Sequence, residues 1–230
     1  MPPNPTVISH TLPPTRQIPN SPLPLLHYPS LLHDLVTTPT FQPTHLLDLY
    51  TQHGWQTQWI AKYGPDIPSH YHSTTHECMT VISGSHATIR FGVADGEEKG
   101  GGGVEIKAQL GDVFIVPAGV AHKTFSPEPS SSGLAFYQPE DIAAGRAWEV
   151  GAEREGKRRR FFEGVELKGE FMMMGAYPYG GVWDFAVGGE HAGREEEVWR
   201  VPVPDKDPVL GDSRAGLVGL WEGKSHASLT

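Results

Sequence analysis

From Trp55 to Tyr137 the apolar residues recur with period two in short runs, and clusters of glycine, proline or serine end each run before a helical period can develop. "WQTQWIAKY" alternates so that Trp55, Thr57 and Trp59 fall on one face of a strand. "HATIRFGV" sets Ala87, Ile89 and Phe91 against His86, Thr88 and Arg90, and "VEIKA" turns Val104 and Ile106 inward. "ADGEEKGGGG" and "GD" between them are turn material. Because "KGGGG" lacks the Lys-Ser/Thr ending and following helix of a phosphate loop, it is expected to be a hairpin turn. "DVFIVP", "HKTF", "LAFYQP", "EFMMMGAYPYG" and "GVWDFAVGG" continue the strand character. Many short strands with few long helices predict an all-β sandwich or barrel with helical decoration.

Helices are expected over "SLLHDLV" at 30–36 and "THLLDLYTQHG" at 44–54, the second capped by Thr44 and closed by Gly54. "EDIAAGRAWEVGAEREGKRRR" suggests a helix or surface connection broken by glycines. Eleven of the 21 prolines lie in residues 1–43, where they fix φ and remove backbone donors, so this stretch is expected to be an extended arm over the body. The proline-punctuated tail should wrap the body as well. A net charge of -9 argues against nucleic acid or an anionic membrane as the main partner. "GKRRRFF" is expected to be a solvated face. Cys78 is the single cysteine, which excludes an intrachain disulfide and points to a buried thiol in a reducing compartment. The N-terminal residues lack the apolar core of a signal peptide, and no run of about 18 apolar residues occurs. The expected location is cytoplasmic.

The chemistry is concentrated in "GPDIPSHYHSTTHECMTVISG", residues 64–84, and "GDVFIVPAGVAHKTF", residues 111–125. Alternate residues of a strand share a face, so His70 and His72 point the same way about 7 Å apart, a spacing that suits two ligands of one metal. A bend across "STT" could return Glu77 to the same centre, and His122 follows a Gly, Pro, Gly series that steers the second segment. His76 adjoins Glu77 and could replace it. Adjacent strand residues face opposite ways, however, which favours a supporting or surface place for His76.

Both segments resemble the motifs of the cupin superfamily. Gly64, His70, His72, Glu77 and Gly84 match the first motif, and Gly111, Pro117, Gly119 and His122 match the second, with Ser126 where that family often has Asn. "GW" at 54–55, "GAYPYG" at 175–180, "DPVLGD" at 207–212 and Trp221 look like the YjlB-type single-domain cupins within it. The resemblance implies a cupin double-stranded β-helix, a jelly-roll barrel with short helical decorations and extended N- and C-terminal arms. It implies a proline-rich arm over 1–43 and one cupin domain over 44–230. The motifs occupy 64–84 and 111–126, and a C-terminal extension over 140–230 packs on the barrel. It also implies one divalent transition metal, Fe, Mn, Ni, Cu or Zn, bound by His70, His72, Glu77 and His122, with Glu77 doubling as a catalytic base. Imidazole and carboxylate donors suit those ions and disfavour calcium.

Four protein ligands leave two positions of a six-coordinate ion for a chelating substrate, water or dioxygen. Because this three-His, one-Glu set resembles that of cupin dioxygenases, the resemblance implies a dioxygenase-like oxidoreductase acting on a small organic chelator. The alternatives are a non-redox isomerase or lyase and a small-molecule binding module. Cupin barrels commonly pair through outer strands or exchanged arms, so the resemblance, with the proline-rich N-terminus, also implies a homodimer. Trp55, Trp59, Phe91, Phe114 and Tyr137, and the run Met172 to Met174, are expected to be core packing.

Overall fold

The computed structural model describes residues 5–64, 67–97 and 102–224. Its ten strands are β1 (Ile8–His10), β2 (Leu25–Tyr28), β3 (Trp55–Lys62), β4 (Glu77–Ser83), β5 (His86–Phe91), β6 (Val104–Gln109), β7 (Val113–Val116), β8 (His122–Glu128), β9 (Ala135–Tyr137) and β10 (Met172–Pro178). The six short helices are α1 (His33–Val36), α2 (Pro43–Gln52), α3 (Glu140–Ala143), α4 (Ala152–Glu163), α5 (Glu195–Trp199) and α6 (Leu217–Leu220). All strand pairs are antiparallel. A seven-stranded sheet runs β1-β2-β7-β4-β10-β3-β9 and faces a three-stranded sheet, β6-β5-β8. This is the all-β architecture expected from the period-two runs, in the jelly-roll form that the resemblance implies. None of the described helices is long and apolar enough to cross a membrane.

Strand alternation divides the apolar residues of the large sheet between two cores. Met79 and Val81 of β4, Phe114 and Val116 of β7, and Met173 and Tyr177 of β10 face inward and meet Ala87, Ile89 and Phe91 of the small sheet. Cys78, Ile82, Val113, Ile115, Met172 and Met174 face outward beneath Leu46 and Tyr50 of α2, Phe162 of α4, Leu217 of α6 and Trp221. With both faces covered, β4 and β7 are buried at every residue. Strand β5, whose other face meets solvent, keeps a clean alternation of buried and half-buried residues. The methionine run is core, as expected.

Four expectations are corrected. Trp55 and Trp59 do not share a face: Trp55 joins the outer core and Trp59 the inner one. The register of β3 slips against Gly175 and Ala176 of β10, so Gln58 is an extra residue that resets the alternation. Gln42, not Thr44, caps α2, because Pro43 takes the first helical turn; Gln42 and His45 exchange reciprocal capping bonds there. Gly54 follows with φ at +79°, as a helix stop requires. Within "KRRR" of α4, Arg158 is buried, its guanidinium donating to Asp141 and to the carbonyls of Arg146 and Glu149. "GVWDFAVGG" forms no strand; its one ladder contact is the bridge between Tyr71 and Ala186. Lys99 to Gly101 of the expected hairpin turn lie outside the described residues.

The N-terminal stretch enters the sheet itself, where β2 pairs with β7 and β1 with β2. The C-terminal tail locks onto it. Trp221 Nε1 donates to the Pro24 carbonyl at 2.9 Å and Trp199 Nε1 to the Asn20 carbonyl at 3.0 Å. The Tyr28 hydroxyl donates to Asp207 at 2.5 Å.

Candidate metal centre

The inner core opens at one end, and the motif histidines converge there. His70 and His122 exchange backbone hydrogen bonds of 3.2 and 2.8 Å, which tie the segment before β4 to the start of β8. The His72 carbonyl accepts the Gly119 N–H at 2.8 Å. Gly119 has φ at +87°, and a Cβ there would fall 2.4 Å from the Asn20 carbonyl oxygen, so only glycine permits this approach. The ring centroids are 4.4 Å apart for His70 and His122, 5.4 Å for His72 and His122, and 5.5 Å for His70 and His72. One ring nitrogen from each lies within 4.8 Å of the other two, and all three residues are buried. Glu77 reaches them from the opposite sheet, 3.4 Å from His72 Nε2 and 3.3 Å from His122 Nε2. It sits beside the closed group of three histidines. Ser126, where the cupin motif often has Asn, holds φ at +51°, a conformation that Asn adopts more readily than most residues.

The hydrogen bonds behind the rings decide what faces the centre. Nδ1 of His70 lies 3.1 Å from the Pro68 carbonyl, Nδ1 of His72 lies against the Asp184 carbonyl, and Nδ1 of His122 lies 3.5 Å from the Val120 carbonyl. A ring nitrogen against a carbonyl carries the proton, so each Nε2 is left as a lone-pair donor. Glu77 Oε2 is buried with no hydrogen-bond donor. Four acceptor atoms therefore confront one another in a buried space, an arrangement that costs free energy unless a cation or protons stand between them. The residues fit a transition-metal ion, and the carbonyls behind the rings are the outer partners such a site requires.

The electrostatics agree. Burial holds the His70 ring well below its ordinary pKa, with His122 and His72 adding to the effect. Burial lowers His122 too, against the attraction of Glu77. For His72, burial pulls downward but the adjacent Glu77 carboxylate prevails, leaving the ring raised. Burial alone would raise Glu77; His72 and His122 instead bring it down to about 2. The group is a carboxylate among mostly neutral rings.

Tyr177 lies in "GAYPYG", a stretch to which the sequence alone assigned no role at the site. Its hydroxyl donates to Glu77 Oε1 and accepts from Trp59 Nε1 at 2.8 Å, which aims the O–H at the carboxylate. Gly175 makes room for this, since a Cβ there would sit 2.0 Å from the Trp59 ring. Burial and Glu77 push the Tyr177 pKa well up, so the phenol keeps its proton. The alternation of β10, which places Tyr177 on the Met173 face, was the available signal. His76 turns away from the centre: its Nδ1 accepts the Ala118 N–H at 2.9 Å and its ring packs 5.0 Å from Trp221. Burial lowers its pKa to about 4. Its place is buried behind the second motif, and the surface option is ruled out.

Above the centre is a cavity of about 220 Å³. Trp59, packed in the inner core as expected, also lines it, together with Phe136, Trp183 and Phe185. Trp55, Phe91 and Phe114 are core, and Tyr137 packs against the outer core.

A two-sheeted antiparallel β fold with a buried three-histidine cluster at the open end between its sheets is the class these observations define. In sequence, the chain is 29% identical over 210 residues to the uncharacterised protein YjlB of Bacillus subtilis (strain 168), covering 89% of this chain and 90% of that protein. No family model matches the chain. Among solved structures it is similar to the dTDP-6-deoxy-D-glucose-3,5-epimerase RmlC of Legionella pneumophila, at 12% identity and a TM-score of 0.30, over 76% of this chain and 72% of that one. It is also similar to hazelnut (Corylus avellana) vicilin, at 11% identity and a TM-score of 0.26, over 74% of this chain and 31% of that one. Scores this low carry no weight, and the fold rests on the strand order itself.

Proposed function

We propose that the protein is a metal-dependent, dioxygenase-like cupin oxidoreductase acting on a small chelating organic substrate. The supporting observation is the confrontation of three Nε2 lone pairs with a carboxylate whose Oε2 has no donor. One divalent transition metal, Fe, Mn, Ni, Cu or Zn, held by His70, His72, His122 and Glu77, would supply open coordination positions and, for the redox-active ions, electron exchange with dioxygen. The backbone carbonyls of Pro68, Asp184 and Val120 orient the imidazoles. Tyr177 holds Glu77 Oε1 and leaves Oε2 to bind or to accept a proton from a substrate. The apolar walls admit dioxygen, itself apolar, more readily than an ionic co-reactant.

The test is metal content by plasma mass spectrometry on untagged protein, beside a His72→Ala/His122→Ala double variant, followed by oxygen uptake with candidate chelators. Near-stoichiometric iron, manganese, nickel or copper, lost in the variant, and oxygen uptake by the parent protein are expected. Turnover with zinc and without oxygen would move the site to isomerase or lyase chemistry. Failure to hold metal after reloading would leave a binding scaffold.

A further inference from the structure

We infer that the substrate is a planar, ring-bearing molecule whose polar atoms are confined to one chelating end; this rests on the metal reading above. The cavity separates its chemistry by depth. His70, His72, His122, Glu77 and Tyr177 gather at the floor, and aromatic rings form the walls. Trp59 and Phe136 are 5.4 Å apart at 31°, and Phe136 meets Trp183 edge-on at 6.2 Å, so three rings make a continuous side. Across the floor, Phe185 stacks on His70 at 4.1 Å and 14°, although half of Phe185 is exposed. Leu134 and Phe136 are also exposed at the mouth. Apolar surface left in contact with water beside a buried polar centre is the signature of a ligand site.

Charge and size narrow the class. Among the described lining residues there is no Lys or Arg, and Glu77 is the single carboxylate. A phosphate or a second carboxylate on the substrate would be buried among rings without a counter-charge, which is costly. A cavity of about 150 Å³ is enough for benzene. The 220 Å³ here therefore holds one ring with a short chelating group. Sugars, with hydroxyls on every side, would leave those groups unpaired against Trp59, Phe136 and Trp183.

The experiment uses zinc-loaded full-length protein, redox-silent, and hydroxamates that share one chelating head. Zinc uptake is measured first, by calorimetry. Acetohydroxamic, benzohydroxamic and 4-carboxybenzohydroxamic acids are then titrated, following quenching of tryptophan fluorescence and heat. Benzohydroxamate should bind at least about tenfold tighter than acetohydroxamate, and the added carboxylate should remove most of that gain. Phe185→Ala, at a half-exposed position, should shrink the ratio of benzohydroxamate to acetohydroxamate affinity several-fold in the zinc-loaded variant. Normal zinc uptake with equal affinity for the first two ligands overturns the ring inference alone. No zinc uptake overturns the metal reading and this inference with it.

Discussion

On the outer face of the large sheet the central buried carboxylate is fully provided for. Asp207 accepts the Tyr28 hydroxyl and the backbone N–H groups of Val209, Leu210 and Leu217. On the inner face, at the open end, Glu77 has one oxygen held by Tyr177 and the other with no hydrogen-bond donor, facing the imidazoles of His72 and His122. The same strands build both faces. One face is closed by helices and the C-terminal tail, whereas the other gathers a carboxylate and three buried imidazoles where a cavity reaches solvent. That gathering of acceptor atoms in one place distinguishes the open face.

This contrast can be broken by substitution. Trp221→Ala on the closed face removes a fully buried indole and its bond to Pro24. It should lower unfolding free energy by about 3–5 kcal/mol in urea titrations, with metal stoichiometry unchanged in the folded fraction. Parallel loss of metal would show that the two faces are not independent. Tyr177→Phe on the open face should weaken zinc affinity by about tenfold in competition with a chelating dye, at a smaller cost in stability, because Glu77 Oε1 loses its donor. Unchanged affinity would reduce Tyr177 to packing. The smallest effect is expected at Cys78, outward on β4. Burial first, then Asp207, pushes its thiol pKa well up, so at pH 8 it remains a thiol. Ellman's reagent should leave the native protein unmodified and titrate one thiol after unfolding; rapid native reaction would show that the outer face opens.

Much of the inner face was legible in the sequence because strand alternation and motif spacing are local properties. His70, His72 and His122 could be assembled from residue intervals, and Ala87, Ile89 and Phe91 from period two. What was not legible depends on contacts between distant segments. Trp59 changed faces because of one extra residue, Gln58, whose effect exists only against Gly175 and Ala176 of β10. Arg158 looks like one cation in a basic run until Asp141 and two carbonyls surround it. Tyr177, Trp183 and Phe185 belong to the cavity through their position in space, and no interval in the chain links them to His72. The continuous burial of β4 and β7 follows from covering by α2, α4 and the tail, which a strand's own residues do not announce.

The bridge between Tyr71 and Ala186 has a consequence for how the protein is made. With it, Asp184 grips Ser73 through both carboxylate oxygens, at 2.6 Å each, and supplies the carbonyl behind His72. Every candidate ligand lies between residues 70 and 122, yet the groups that orient His72 and Glu77 lie between 177 and 186. During translation the ligands leave the ribosome first and their holders later. A growing chain thus carries the donor atoms before it carries their geometry, and the convergence of three imidazoles and a carboxylate exists only in the finished fold.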